Sequence, residues 1–188
     1  MDMAYGSEQA GKFVKNVGLV TTRGAFGDDI MACEWTYQVS YSPGQIAVCI
    51  GRGKMTSQNI NSSKEFGVSL AAEDQLDASA VSGGSKGDDV DKIAVLQELG
   101  FKFSQAKKIK ALLLEGAALT AECKLVNTVE LPTHTMFIGE VLEVSVSPKQ
   151  AVAYQIGKYF KLGAQMPKPS DEHREKIKSV IEKHPRKK

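Results

Sequence analysis

Residues 117–130 and 133–147 constrain the fold more than any other feature, because both read as long strands and they meet at Leu131-Pro132. Each is rich in Val, Leu and Thr. Glu122 and Lys124 in the first, and Glu140 and Glu143 in the second, alternate with apolar neighbours, the period-two pattern of a strand covered on one face. Proline cannot donate to a ladder, so residues 131–132 mark the turn and the two segments predict an antiparallel pair.

Other strands follow from shorter signals. VGLVTT (17–22) is an apolar, β-branched run, and IMACEWTYQVS (30–40) is read as one strand ending at a Ser-Pro-Gly turn into QIAVCI (45–50). FGVSL (66–70) alternates, and 154–162 is a short aromatic strand or turn region. Helices are few. Thr56 is the expected N-cap of a short, largely exposed helix through residue 63. Residues 74–81 form one helical turn or two, 82–89 (SGGSKGDD) a loop, and 90–99 a helix stopped by Gly100. Pro167 and Pro169 close the compact part. Residues 171–184 then form a helix with Ile177, Val180, Ile181 and His184 on one side, which predicts docking of that face. The reading is a mainly β chain, a barrel with helical insertions over 1–168 and a basic helical tail over 169–188.

Composition removes several function classes. The 24 Lys/Arg and 22 Asp/Glu give a net charge of +2, and residues 170–188 hold seven of those bases against four acids. The body is therefore nearly neutral, unlike a protein built to neutralise nucleic-acid phosphates. Apolar runs such as 111–114 and 142–146 fall far short of the roughly 20 residues a membrane helix needs. A polar N-terminal stretch makes the cytoplasm the expectation. The 3 cysteines, Cys33, Cys49 and Cys123, have no CxxC spacing, so reduced thiols and no metal site are expected.

Familiar catalytic templates are missing: no GxSxG, no phosphate loop followed by Ser or Thr, no HExxH, no GxGxxG after a strand. Cys49 and His134 could pair as nucleophile and base, yet on the residues alone an inert thiol and a strand-end histidine serve as well. The loops are more informative. Thr56, Ser57 and Asn59 at a helix start offer donors to an anion, and SGGSKGDDVDK adds backbone access with Ser85, Lys86 and Lys92. Trp35 is a core anchor or a stacking surface.

In this order the segments VGLVTT, DIMACEWTYQVS, QIAVCI, MTSQNINSSKEFGVSL, the Gly/Ser loop ending in DVDK, and THTMFIGEV resemble the flavin-reductase-like family of FMN-binding split barrels, which includes flavoredoxins and archaeal ferric reductases. The resemblance covers about residues 13–163. It implies a Greek-key-like antiparallel split barrel that forms a homodimer and holds FMN near the subunit interface. It places residues 29–37, among them Asp29, Met31, Ala32, Cys33, Glu34, Trp35 and Thr36, along the flavin ring and ribityl chain. Cys49, Ile50, Gly51 and Thr56 approach the ribityl chain and phosphate, and Ser85, Lys86, Gly87 and Lys92 close over the phosphate. Cys49 and His134 stand beside the flavin as the catalytic candidates. The chain departs from the family at Asp29, Ala32 and Glu34, and at KGD before DVDK. Two acids beside a reduced anionic ring repel it unless Lys86, Lys54 or Arg52 compensates, an effect on the order of a few kcal/mol when partly buried. The implied function is an oxidoreductase passing electrons from NAD(P)H through FMN to free flavin, ferric iron or a protein, with Arg52 and Lys54 as the cations for the nicotinamide nucleotide. The alternatives are a flavoredoxin-like electron carrier without an NAD(P)H site and a barrel that has lost its cofactor and uses its basic tail as an interaction arm.

Overall fold

The computed structural model describes residues 2–185. The two long segments are strands, Leu119–Glu130 and His134–Val146, paired antiparallel from Thr135↔Glu130 to Val146↔Leu119. In chain order the elements are α1 (Glu8–Gly11), β1 (Lys15–Asn16), β2 (Gly18–Gly24), β3 (Gly27–Cys33), β4 (Thr36–Tyr41), β5 (Gly44–Gly51), α2 (Met55–Ser63) and β6 (Glu65–Leu70). A 3-10 turn, Glu73–Gln75, leads into α3 (Leu76–Gly84), α4 (Lys92–Glu98), β7 (Phe103–Gln105) and β8 (Leu112–Leu114). The long pair is β9 and β10, followed by β11 (Ala153–Gln155), β12 (Lys158–Phe160) and α5 (Asp171–Glu182).

Seven strands make one antiparallel sheet in the order β3-β2-β6-β9-β10-β5-β4. The link from β5 through α2 to β6 crosses to the far side, a Greek-key-like connection, so the mainly β barrel expectation holds. The sheet curls until its two margins meet. Gly18 in β2 lies against Thr36 in β4, where a Cβ would stand 2.1 Å from the Thr36 hydroxyl oxygen. Glycine is what permits that approach.

Two cores explain the sequence pattern of β2. Val20 packs inside the barrel with Val48, Ile60, Phe66 and Phe137, while its neighbour Leu19 packs outside with Ile30, Ala78, Ile93 and Leu96 beneath α3 and α4. A strand covered on both faces needs no polar alternation, so VGLVTT reads as continuously apolar. Burial of each such large side chain stabilises by roughly 1.5–3 kcal/mol. Glu122 breaks the expectation that its alternation points it to water, being 2% exposed. It is satisfied by the N–H groups of Lys107 and Lys108, which donate to its two oxygens and pin the loop after β7.

Four readings need correction. The segment 30–40 is two strands on opposite margins of the sheet, broken where the Thr36 hydroxyl donates to the Cys33 carbonyl at 2.9 Å and the Cys49 N–H donates to the Trp35 carbonyl at 3.0 Å. Helix α2 is capped by Lys54 instead of Thr56 and is buried along Thr56, Ser57, Asn59 and Ile60. Its polar residues are affordable inside because the β2–β3 hairpin satisfies them: Asn59 donates to the Gly27 carbonyl at 2.9 Å and accepts from the Phe26 N–H at 3.2 Å. The glycines at 83–84 belong to α3, so the loop begins at Ser85. Helix α5 does form, but it is exposed throughout, with Ile177 at 42% and Ile181 at 67%, and His184 lies beyond its end. It does not dock on its own barrel.

Candidate functional site

The break between β3 and β4 is where the predicted site residues gather, and they form three groups. Ala32, Cys33 and Glu34 line a cleft of about 400 Å³ whose opposite wall is α3, through Ser79, Ala80, Gly83 and Gly84. Gly83 is pressed close: a Cβ there would stand 3.3 Å from that of Ala32. Nothing stands near Gly84, so that wall offers bare backbone. Tyr5, Tyr154 and Tyr159 close the cleft's other side. Tyr159 donates to the Ser79 hydroxyl at 3.0 Å, and the Tyr5 and Tyr154 hydroxyls share a hydrogen bond of 2.8 Å. Burial, then that bond, pushes the Tyr154 phenol up to about 12.

The second group is a stack of charge and aromatic rings. Lys15, 8% exposed, reaches Glu34 at 3.0 Å and lies 5.9 Å from the Trp35 ring centre. The second Glu34 oxygen is buried with no partner among the described residues. Trp35 meets His134 with ring centres 4.5 Å apart, and the Thr133 hydroxyl is 2.8 Å from His134 Nδ1. Partial burial pulls the imidazole below its ordinary 6.5, against the opposing pull of Glu34. Cys49 is opposite Met136 in the ladder and His134 opposite Gly51, so thiol and ring are diagonal neighbours. The two make no hydrogen bond among the described residues, and His134 Nδ1 is engaged by Thr133. The Cys33 thiol donates to the Cys49 carbonyl at 3.3 Å and is pushed up to about 11 by burial. Burial also raises Cys49. Both are thiols at neutral pH, which argues against a thiolate nucleophile.

The third group is a buried ion pair. Asp29, Thr56 and Lys92 are 3%, 1% and 4% exposed. Lys92 Nζ is 2.9 Å from Asp29 Oδ1, and the Thr56 hydroxyl donates to Oδ2 at 2.5 Å. Gly87 covers them, since a Cβ there would stand 2.8 Å from Asp29 Oδ1.

The remaining candidates are placed as follows. Met31 packs against the barrel core and Ile50 lies within it. Thr36 uses its hydroxyl to close the strand break. Gly51 is half-buried beside the Lys54 stem. Ser85 caps α3 half-buried, and Lys86 is exposed. Arg52 donates to the Leu131 carbonyl at 2.6 Å and pairs with Glu130 at 3.5 Å, while Lys54 stands in solvent. Sequence reasoning missed Lys15, Ser79, Gly83, Gly84 and the three tyrosines. Two of the tyrosines lay in the aromatic stretch 154–162, and the glycines were read as a turn. Nothing marked Lys15. No group of three or more His, Cys, Asp or Glu able to hold a metal occurs among the described residues, and no helix there is long and apolar enough to cross a membrane.

Comparison with known proteins agrees with this architecture. The chain is 29% identical over 111 residues to the ferric-chelate reductase (NAD(P)H) of Archaeoglobus fulgidus, covering 58% of this chain and 63% of that one. The matches span 63% to 66% of the length of the curated relatives. The flavoredoxin of Methanosarcina acetivorans superimposes with a TM-score of 0.77 at 17% identity, over 93% of this chain and 99% of the other. An NADH:FAD oxidoreductase of Streptomyces globisporus, solved with NAD and FAD fragments, does so with 0.70 at 23% identity, over 80% and 87%. At these identities the structures speak for the fold. Residues 10–163 match the family described as the flavin reductase like domain. With that match spanning most of its length, and a curled antiparallel sheet of the same architecture, the chain belongs to the flavin-reductase-like oxidoreductase family.

Proposed function

We propose that the chain binds FMN in the cleft between β3 and α3, takes reducing equivalents from NADH or NADPH, and delivers them to an acceptor such as free flavin, ferric iron or a protein. The observation that carries this reading is the cleft itself: about 400 Å³, walled by glycine backbone on α3 and by the Ala32–Glu34 backbone opposite, with an unpartnered Glu34 oxygen buried beside it. A flat, heteroatom-rich ring suits bare backbone walls and an unsatisfied polar atom. The phosphate end is a poorer match, because Lys92 and Thr56 are already engaged by Asp29. When bound, the flavin supplies a centre that accepts a hydride and releases electrons.

The chain's own residues would do the rest. The 32–34 backbone and Gly83–Gly84 hold and orient the ring, and Lys15 keeps Glu34 folded to one side of it. Trp35 and His134 wall off water, with Cys49 a diagonal step away. The lowered imidazole leaves His134 uncharged at neutral pH, able to position a neighbour through a hydrogen bond without adding charge. Protonated Cys33 and Cys49 keep thiolate chemistry out of the site. The named activities of the Archaeoglobus relative and the Streptomyces neighbour support a nicotinamide donor. The subunit pairing expected of the family would suit the apolar cleft that the exposed side chains Tyr37 of β4 and Val144 of β10 line with Leu119 and Val141.

One observation favours a flavoredoxin-like carrier instead. Arg52, the first cation expected to meet a nicotinamide nucleotide, is spent on Glu130 and the Leu131 carbonyl. Steady-state oxidation of NADH and NADPH by FMN-loaded protein, with free flavin and ferric chelates as acceptors, separates the two. Turnover with either nucleotide is expected. Bound flavin without turnover makes the chain a carrier, and a colourless protein that does not quench added flavin overturns both readings.

A further inference from the structure

The buried cluster at Asp29, three residues before Ala32 on β3, bears on which part of the flavin this chain recognises, an inference that rests on the flavin reading above. Lys92 from α4 and Thr56 from α2 converge on one point, and Gly87 brings loop backbone against it. An ammonium, a hydroxyl and a glycine-lined approach are the groups a phosphoryl oxygen calls for. In this chain the point is filled from within. Asp29 receives Lys92 at 2.9 Å on one oxygen and Thr56 at 2.5 Å on the other, and all three side chains are at most 4% exposed.

A phosphate monoester brought to those donors carries close to two negative charges and meets the Asp29 carboxylate in the same space. To take Lys92 it must leave Asp29 buried and unpaired, a large penalty that adds to the like-charge repulsion. Lys86, exposed on the covering loop, is screened by solvent and compensates little. We propose that Asp29 stands in for the ligand's phosphate, so that this chain grips a flavin by its ring and ribityl chain and takes riboflavin about as tightly as FMN. Asp29 is then a specificity-determining residue whose effect falls on the phosphorylated ligand alone.

Titrating the full chain with FMN and, separately, with riboflavin, followed by quenching of flavin fluorescence, tests this directly. The two dissociation constants should agree within about threefold. The Asp29→Asn variant keeps the side-chain shape and removes the negative charge paired with Lys92. It should bind FMN about 10- to 100-fold more tightly than the wild type, roughly 1.4–2.8 kcal/mol, with riboflavin changed by less than about threefold. A wild type that prefers FMN by about tenfold or more overturns the inference while leaving the flavin reading intact. So does a folded Asp29→Asn variant that gains nothing for FMN. If that variant does not fold, the wild-type ratio decides alone. Binding of neither flavin overturns the flavin reading, and this inference falls with it.

Discussion

His134 shows how much one side chain's surroundings decide. Its ring packs on Trp35 and its proton affinity is lowered mainly by burial. The unfolded chain, with an ordinary value of 6.5, therefore takes up the proton before the folded chain does as pH falls. The associated stability is complete above 6.5 and is lost as pH drops from there through the lower value of the folded chain. Urea denaturation at about pH 7.5 and about pH 5.5 should show a larger acid loss for the wild type than for His134→Gln, and equal losses would show that the imidazole is not the cause. At this scale the sequence named Glu34 among the polar residues lining the cleft, but not Asn16, Ser79 or the three tyrosines. Asp29, Thr56 and Lys92 were each expected to face a ligand, yet they face one another, because strand and helices far apart in the chain bring them together. Lys15 was invisible for the same reason: its role exists only once Glu34 lies 3.0 Å away.

Among the elements, β10 has a position that leaves no room for a side chain. Phe66 and Cys123 pack over Gly139, and a Cβ at residue 139 would come within 2.6 Å of the Phe66 ring and 2.8 Å of the Cys123 Cβ. The ladder also shifts register there, between Ile138 and Gly139. Gly139→Ala should cost about 1–3 kcal/mol of stability by overpacking, measured by urea denaturation; an unchanged midpoint would mean that Phe66 yields freely. The strands of this sheet were largely legible in sequence, since VGLVTT, QIAVCI and FGVSL carry β-branched runs and the long pair carries alternation. Two features were not. The break at Glu34-Trp35 has no proline or glycine to announce it, and depends on hydrogen bonds to β5 and within the turn. Burial of α2 was hidden by its polar composition, because Asn59 and Thr56 are satisfied by β2, β3 and the hairpin between them, and not by water.

For the whole molecule, an apolar cleft of about 310 Å³ opens between β4 and β10. Tyr37 and Val144, 41% and 52% exposed, line it with Ile46, Leu70, Leu119 and Val141. A second copy of the chain is the proposed partner. Sedimentation velocity should find a dimer, and Val144→Asp should shift it toward monomer; a wild type that sediments as monomer at all concentrations removes the proposal. The two margins of the sheet are tied by Glu34 and Trp35 alone in the chain's path from β3 to β4. Whatever settles on that short tie acts as a keystone. It bears on both rims of the barrel at once, so occupancy and the rigidity of the shell become a single property.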